Sequence, residues 1–576
     1  MKSMLSEPLS DCRWRAPERD RAVEAVLQKE LGITSMTAAV LVARGLDTAE
    51  ASHRFLNPRL EDMHDPLLLP DAEKAVREIM LAKDRGETVY VHGDYDVDGV
   101  TSASIWTRSL KKLGFDVITH VPHRMKEGYG IHISAAEEAI ASGAKLFLTC
   151  DCGTGALAAL ARVREAGMRV VVTDHHEPGG ELPVVEALVN PHLQGNQYPF
   201  PELAGAGVAF KIAQAVAEEC GAKREQFIRA YLDLLCLGTI ADVMPLIGEN
   251  RIIAHFGLKA LEESKKAGVM ALKTVSDTAD RALTTRDVGF ALGPRINAAG
   301  RVDDAAHALR LFLTDDIEEA RQHAEICDGF NRQRKEEEIA IVEQAEEIIA
   351  ERDLASRYLI LVAASGWHKG IIGIVAGRIA EKYNRPTLVA SINEETGVAG
   401  GSARSIPNFH LLQGMESVRD VFDTCGGHAA AAGFSLQASR LDEAADRLDA
   451  FARTVLTAED LVPTLYADAE VEPSEVFGKA IMELQRLQPF GTANEQPRVI
   501  VRGTQFKSFN PCGDGSHMQF KVETSHEIKG IAFRMAPLFQ QIDPDTTVDL
   551  LVKPVVDNWN GGRYSKLELV SMERSV

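Results

Sequence analysis

Between about residues 70 and 270 the chain alternates short β-branched runs with alanine-rich stretches of helical composition: TVYVHG, SASIWTRSLKKLG, DVITHV, AKLFLTC, GALAALARVREAG and RVVVTD. Such alternation predicts βαβ units on a parallel sheet. A sheet of this kind gathers its ligands at the carboxyl ends of its strands. Here those ends are acidic. Asp94, Asp96 and Asp98 follow the first run, Asp151 follows LFLTC, and Asp174, His175 and His176 follow RVVVT. The pattern therefore predicts carboxylates and imidazoles far apart in sequence and close in space. The apolar run that closes with GTIAD, at Asp242, reads as a fourth acidic strand end.

At 576 residues the chain is long enough for several domains. Residues 315–352 are dense in strong helix formers and contain no proline, which predicts a connecting helix of roughly 55 Å with a weak point at Gly329. A second α/β segment follows (YLILVAA, IGIVAGRIAEKYN, TLVAS), and after about 462 strands dominate, from PRVIVRGTQF to SKLELVSM. That tail reads as a small antiparallel barrel or sandwich. The predicted boundaries are a helical extension at 1–68, a parallel-sheet domain at 69–314, the helix at 315–352, a smaller α/β domain at 353–458 and an all-β domain at 459–576.

Composition narrows the function classes. With 45% hydrophobic and 26% charged residues the chain is neither disordered nor collagen-like. Acidic residues outnumber basic ones 84 to 63, a net charge of −21, so a polyanion must be held by a local basic strip or by metal ions. Eight scattered cysteines make neither a disulfide framework nor a zinc-ribbon spacing, and a reducing cytoplasm is expected. The start lacks an apolar signal segment and no run is apolar for long enough to span a bilayer, so no membrane partner is expected.

The DYDVDG run places three carboxylates in five residues. Asp94, Asp96, Asp98 and Gly99 match the opening of an EF-hand loop, but its twelfth position is Ile105 where a glutamate is required, and a strand precedes it where a helix should. Gly153, Gly155 and Ala158, with Asp174 further on, fit a dinucleotide-binding turn. That reading puts Asp151 against a pyrophosphate and leaves the double histidine and DYDVDG without a task. A cation resolves both objections. Carboxylates with imidazoles suit Mn²⁺ or Mg²⁺, and two such ions about 3.5–4 Å apart clamp the attacking and leaving oxygens of a phosphoryl displacement. Cys150 and Cys152 have no paired base and read as small core residues.

HGDYDVDGVTSASI, the aspartate of CDCGTG, the DHH triplet and GTIADVMPL, in this order, resemble the four motifs of the DHH phosphoesterase superfamily. SGWHKGIIGIVAGRIAEKY and CGGHAAAAGF look like its DHHA1 substrate-binding domain, and the tail from 462 looks like an OB-fold domain. With GPRINAAGR and the connecting helix, nearly the whole chain is similar to the bacterial single-strand-specific 5′ to 3′ DNA exonucleases of that superfamily. The resemblance implies two α/β lobes joined by a long helix, followed by an OB-like barrel. It implies that Asp96, Asp98, Asp151, His175 and Asp242 ligate two divalent ions, Mn²⁺ or Mg²⁺, with Asp151 as the bridge and His92 as a further ligand. Asp98, Asp151 and His176 form the implied catalytic set, His176 contacting the scissile phosphate. DNA contacts are implied at Arg124, Tyr129, Arg295, Asn297 and Arg301, and in the DHHA1 segment at Trp367, His368, Gly370, Ser402, Arg404, Gly426, Gly427 and His428.

The implied activity is release of 5′-mononucleotides from single-stranded DNA in repair and recombination, by a monomer working with single-stranded-DNA-binding protein and a helicase. Two other readings stay open: a DHH-DHHA1 phosphodiesterase of short oligonucleotides or cyclic dinucleotides, and a catalytically inactive DNA-binding scaffold. The N-terminal extension, GPRINAAGR and the tail argue against the first. The complete ligand set argues against the second.

Overall fold

The β-branched runs become five parallel strands, ordered Val117–His120, Val89–Gly93, Leu146–Cys150, Arg169–Thr173 and Ala187–Val189. Successive side chains point to opposite faces. Val89 and Val91 enter a core shared with the helices Val97–Lys112 and Gly205–Glu219, while Tyr90 enters a second core under the helices Ile133–Ala141 and Leu157–Glu165. The sheet is thus covered on both faces, which is why its strands read as near-continuous apolar runs. The strand order reverses between Val89–Gly93 and Leu146–Cys150, so the crevice of a doubly wound sheet opens at the carboxyl ends of these two strands.

This computed structural model describes residues 12–123, 130–302, 304–523, 527–543, 545–557 and 563–575. The chain forms two compact units. One comprises Pro58–Glu337 with Pro489–Glu495, and the other Met1–Asn57, Glu338–Gln488 and Gln496–Val576. The helix Ile317–Glu351 is 35 residues long, about 52 Å at 1.5 Å per residue. It runs unbroken through Gly329. The expected weak point is absent because a single glycine costs only about 1 kcal/mol against the strong helix formers around it.

In the second unit, a five-stranded sheet has the order Thr424–Gly427, Ala431–Gln437, Val398–Arg404, Thr387–Ile392, Ile360–Ser365. Only its last pair is parallel. The C-terminal sheet has seven strands and is mainly antiparallel, with two parallel pairings: Ala469–Val471 with Val499–Thr504, and Glu527–Ala532 with Tyr564–Arg574. The N-terminal segment is no separate extension. Arg13–Arg15 pairs in parallel with Thr464–Tyr466, Arg19 bridges Glu24 and Glu475, and Arg44 meets Asp468 at 2.8 Å. Among the described residues no single helix is long and apolar enough to cross a membrane.

One buried ion pair fixes the helix that reaches the strand ends. Lys211, on Gly205–Glu219, bonds Glu249 on Gly248–Glu263, and both side chains are buried. Tyr198 donates to Glu249 at 2.6 Å, and Lys211 donates to the His64 carbonyl at 2.7 Å. Removing one member leaves a buried charge unpaired. Glu249→Ala is expected to lower the unfolding free energy by about 3–5 kcal/mol in urea denaturation, and Lys211→Met with Glu249→Leu by far less.

Candidate metal centre

The Val89–Gly93 strand ends at Asp94 and the chain turns at once into the helix Val97–Lys112. Asp96 caps that helix, its carboxylate accepting from the Gly99 amide at 3.0 Å. Asp98, in the first turn, is buried; its Oδ2 and Oδ1 accept from the amides of Gly205 and Ala206 at 2.6 and 2.8 Å. These amides are the start of the helix Gly205–Glu219, whose dipole favours a carboxylate there. Asp151 leaves its strand in the left-handed conformation, φ 61°. It lies so close to Gly205 that a Cβ on that residue would sit 2.5 Å from the Asp151 carboxylate oxygen. A Cβ on Gly238 would likewise lie 2.8 Å from Asp98 Oδ1. The helices Gly205–Glu219 and Arg224–Ala241 thus come this close to Asp151 and Asp98 only because each presents a glycine there.

Asp242 does not end a strand. It caps the C-terminus of the helix Arg224–Ala241, whose residues from Tyr231 to Ile240 are all buried. An apolar run buried on every side carries no helical period, and so resembles a core strand in sequence.

The ring of His175 joins these elements: Nε2 lies 3.2 Å from Asp151 Oδ1, 3.6 Å from Asp242 Oδ2 and 3.7 Å from Asp98 Oδ2. Three overlapping groups have donor atoms within 4.8 Å of one another: Asp98, His175 and Asp242; Asp151, His175 and His176; and Asp94, Asp96 and Asp151. His92 is in none of them. It is fully buried, its ring stacked 5.3 Å from His120, and among the described residues neither of its nitrogens has a hydrogen-bond partner. Burial, with His120 nearby, pushes His92 down to about 3.

Crowding decides the protonation of the carboxylates. Burial and the charge of Asp96 push Asp98 up to about 7, against the pull of its two backbone amides. Burial and the charges of Asp98 and Asp96 push Asp242 up to about 9, and burial with the same neighbours moves Asp151 well above the carboxylate range. Burial and neighbouring His176 push His175 down to about 4. Its ring is neutral and hydrogen-bonds the Leu203 backbone, leaving Nε2 as a lone pair toward the carboxylates. His176 goes the other way. Burial pulls it down, but its 2.7 Å bond to Asp174 and the charges of Asp174, Asp242 and Asp98 outweigh this and raise it to about 9.

Sequence reading gave Asp174 no task of its own. Its Oδ1 accepts from the amides of His175 and His176 and from His176 Nδ1, and its Oδ2 from the Thr154 amide. Buried Asn190 donates to Thr154 Oγ1 at 2.9 Å and to the His176 carbonyl at 2.8 Å, completing the mount. Asn190 stands alone in sequence, and no local motif marks it. Nor does any signal mark Pro489–Glu495, expected in the all-β domain. It packs in the first unit, where the Leu246 amide donates to the Thr492 carbonyl at 2.8 Å, four residues beyond Asp242.

Several expected DNA contacts are placed otherwise. The guanidinium of Arg295 is bonded inside the protein, to Asp328 at 2.8 Å and to the carbonyls of Ala291 and Val275. Asn297 accepts from the Val97 amide at 3.0 Å and so braces the aspartate loop itself. Arg301 is half-buried near the end of the same helix. Arg124 and Tyr129 lie outside the described residues. In the second unit Trp367 is a core residue, buried with its indole N–H on Gln344 at 2.8 Å. His368 Nδ1 accepts from the Gly370 amide at 3.1 Å. Ser402, Gly433 and Gly426 share one rung of the sheet; Arg404 pairs with Ala431, whose carbonyl receives the His428 amide. Gly427 and His428 are exposed on that hairpin, and Arg404 donates to Ser402 at 3.0 Å.

Comparison with known proteins agrees with this layout. Residues 88–239 match the DHH family N-terminal domain, 355–454 the DHHA1 domain and 467–571 the RecJ OB domain. The chain is 35% identical over 560 residues to the single-stranded-DNA-specific exonuclease RecJ of Bacillus subtilis, covering 97% of this chain and 70% of that one. It is 33% identical to the enzyme of the same name from Escherichia coli, covering 83% of this chain and 85% of the relative.

The chain belongs to the RecJ family. Its fold is similar to a crystal structure of Thermus thermophilus RecJ in complex with Mn²⁺, with a TM-score of 0.84 at 28% identity, over 98% of this chain and 80% of that one. A Mg²⁺ complex of RecJ from the same organism matches with a TM-score of 0.76 at 27% identity, over 98% and 79%. The residues present here fit such ions. Oxygen donors and one neutral imidazole suit both cations, and buried Asp151 Oδ1, with no hydrogen-bond partner among the described residues, lies 3.2 Å from the lone pair of His175 Nε2, an acceptor facing an acceptor.

The raised carboxyls have a pH signature. A carboxyl whose folded pKa is raised adds stability below its ordinary value, near 4, and loses it as pH rises through the folded value. In EDTA the melting temperature should fall as pH rises from about 4 through 7 to 9, the values of Asp98 and Asp242. Mn²⁺ should restore more stability at high pH than at low. Asp151→Asn, which removes a charge and no hydrogen bond, should raise the metal-free melting temperature near pH 8 and abolish most of the Mn²⁺-induced rise.

Proposed function

We propose that this chain is a metal-dependent exonuclease that degrades single-stranded DNA from its 5′ end, releasing 5′-mononucleotides in DNA repair, recombination and mismatch repair. The observation that carries the reading is the approach of His175 Nε2 to three carboxylates from three separate elements, within 3.2–3.7 Å. Relatives at 32–36% identity carry the name single-stranded-DNA-specific exonuclease over most of this chain.

In this reading Asp96, Asp98, Asp151, His175 and Asp242 would hold two divalent ions, with Asp151 serving both, and His92, whose nitrogens have no partner among the described residues, is the candidate for a further ligand. Such ions, when bound, supply the charge that activates a water and stabilises the phosphoryl transition state. The chain's own residues do the rest. Protonated His176, fixed by Asp174, donates to an oxygen of the scissile phosphate and offsets its growing charge. Asn190 and Thr154 keep Asp174 aimed. In the second unit Arg404, Ser402, His368, Gly370, Gly426, Gly427 and His428 form a surface for phosphates, the glycines letting backbone amides approach an anion. In the first unit Arg301, Arg124 and Tyr129 are further strand contacts, arginine on phosphate and the ring against a base. The enzyme acts as a cytoplasmic monomer on strands supplied by a helicase and covered by single-stranded-DNA-binding protein.

A time course on a 3′-labelled oligonucleotide, single-stranded or annealed, with Mg²⁺, Mn²⁺ or EDTA tests this. The expected result is a metal-dependent ladder shortening from the 5′ end on the single strand. Asp98→Ala and His175→Ala should lower the rate by at least about a thousandfold while strand binding stays measurable. Cutting of di- and trinucleotides alone would replace the reading by an oligonucleotide phosphodiesterase, and binding without cutting by a scaffold.

A further inference from the structure

The helix that begins at Thr285 changes its winding before it reaches the metal-binding loops. Val288–Leu292 forms a π turn, closed by the Gly293 amide on the Val288 carbonyl. Such turns are rare and concentrate at functional sites. Its place is fixed by Gly293: a Cβ there would lie 3.4 Å from the Cβ of Ala241, the neighbour of Asp242, and 3.8 Å from Val97, which stands between Asp96 and Asp98. Phe290, within one turn of Gly293, is 76% exposed. Two residues after Ala241, and next to Asp242, Val243 adopts φ 60° and is 66% exposed. A β-branched residue at positive φ is a strained outlier. Two large apolar side chains thus face solvent from irregular backbone, Val243 next to Asp242 in the chain and Phe290 on the turn that packs against the helix ending at Ala241. Arg286, one turn before Phe290, is exposed as well. It has no hydrogen bond or ion pair among the described residues, since Asp287 is engaged by Arg281.

We propose that Phe290 and Val243 form an apolar platform for a nucleobase next to the cleaved phosphodiester, with Arg286 on a neighbouring phosphate. The proposal rests on the exonuclease reading above and adds a subsite to it. Stacking on an aromatic face is indifferent to sequence, as an enzyme that degrades any strand requires, and every base has such a face. Scattered apolar residues on a surface need no explanation, but here the positive φ of Val243, the π turn under Phe290 and the packing of that turn at Ala241 set these two apart.

The test uses the full chain, a short 3′-fluorescein oligothymidylate, and Ca²⁺ to suppress cleavage. Phe290→Ala should weaken strand binding roughly tenfold, and Phe290→Trp should restore it. A strand of abasic residues should bind wild type and Phe290→Ala equally. Arg286→Ala should lower the slope of log Kd against log salt by about 0.7, the value of one phosphate contact on a single strand. The Mn²⁺-induced rise in melting temperature should be the same in both variants as in wild type. Unchanged affinity of Phe290→Ala overturns the platform while leaving the exonuclease reading intact, as does an equal loss on the abasic strand. A variant that loses the Mn²⁺ response overturns it too, because its defect then lies in the metal centre. Wild type that neither binds nor cuts a single strand overturns both readings together.

Discussion

Mutual repulsion among carboxylates is the constraint around which the first unit is built. Asp98, Asp151 and Asp242 are drawn from a helix start, a strand end and a helix end, and all three meet at one imidazole nitrogen. Water would keep such groups apart. The fold holds them together with two backbone amides on Asp98, with glycines where a side chain would collide, and with a buried Lys211–Glu249 pair that anchors the helix supplying those amides. The result is a site with a surplus of negative charge and a neutral ligand nitrogen, poised for cations and poorly stable without them at high pH.

The two histidines of the triplet illustrate how environment separates identical side chains. His175 is buried among acceptors, keeps its N–H on the backbone and loses its proton readily. His176, one residue on, bonds Asp174 and holds its proton past neutrality. A ligand and a cation are thereby made from adjacent copies of one residue, and the difference lies in Asp174, itself held by Thr154 and, through it, Asn190.

Much of this was legible in the sequence. Strand ends are local, and alternation with helices places them on one edge, so Asp94 to Asp98, Asp151 and His175 group from their sequence positions alone. Asp242 was grouped correctly with them but on the wrong element, because a helix buried on all sides carries no period. Long-range partners were not legible: nothing near Arg295 reveals that Asp328 engages it, and nothing near Asn297 reveals that it braces Val97. Trp367 is the converse case: by residue type it reads as core, only the family resemblance implied a DNA contact, and the structure buries it with its indole on Gln344.

Each compact unit is assembled from segments that are distant along the chain, and this sets the order in which a growing chain can complete them. The strand Arg13–Arg15 has no partner until Thr464–Tyr466 exists. At roughly 5–20 residues per second, its edge waits on the order of 20–90 s during synthesis. The sheet around the aspartates can close much earlier, but the loop after Asp242 receives its covering strap only with Pro489–Glu495. The metal-binding corner of the earlier unit is therefore finished late, when most of the polypeptide has already left the ribosome.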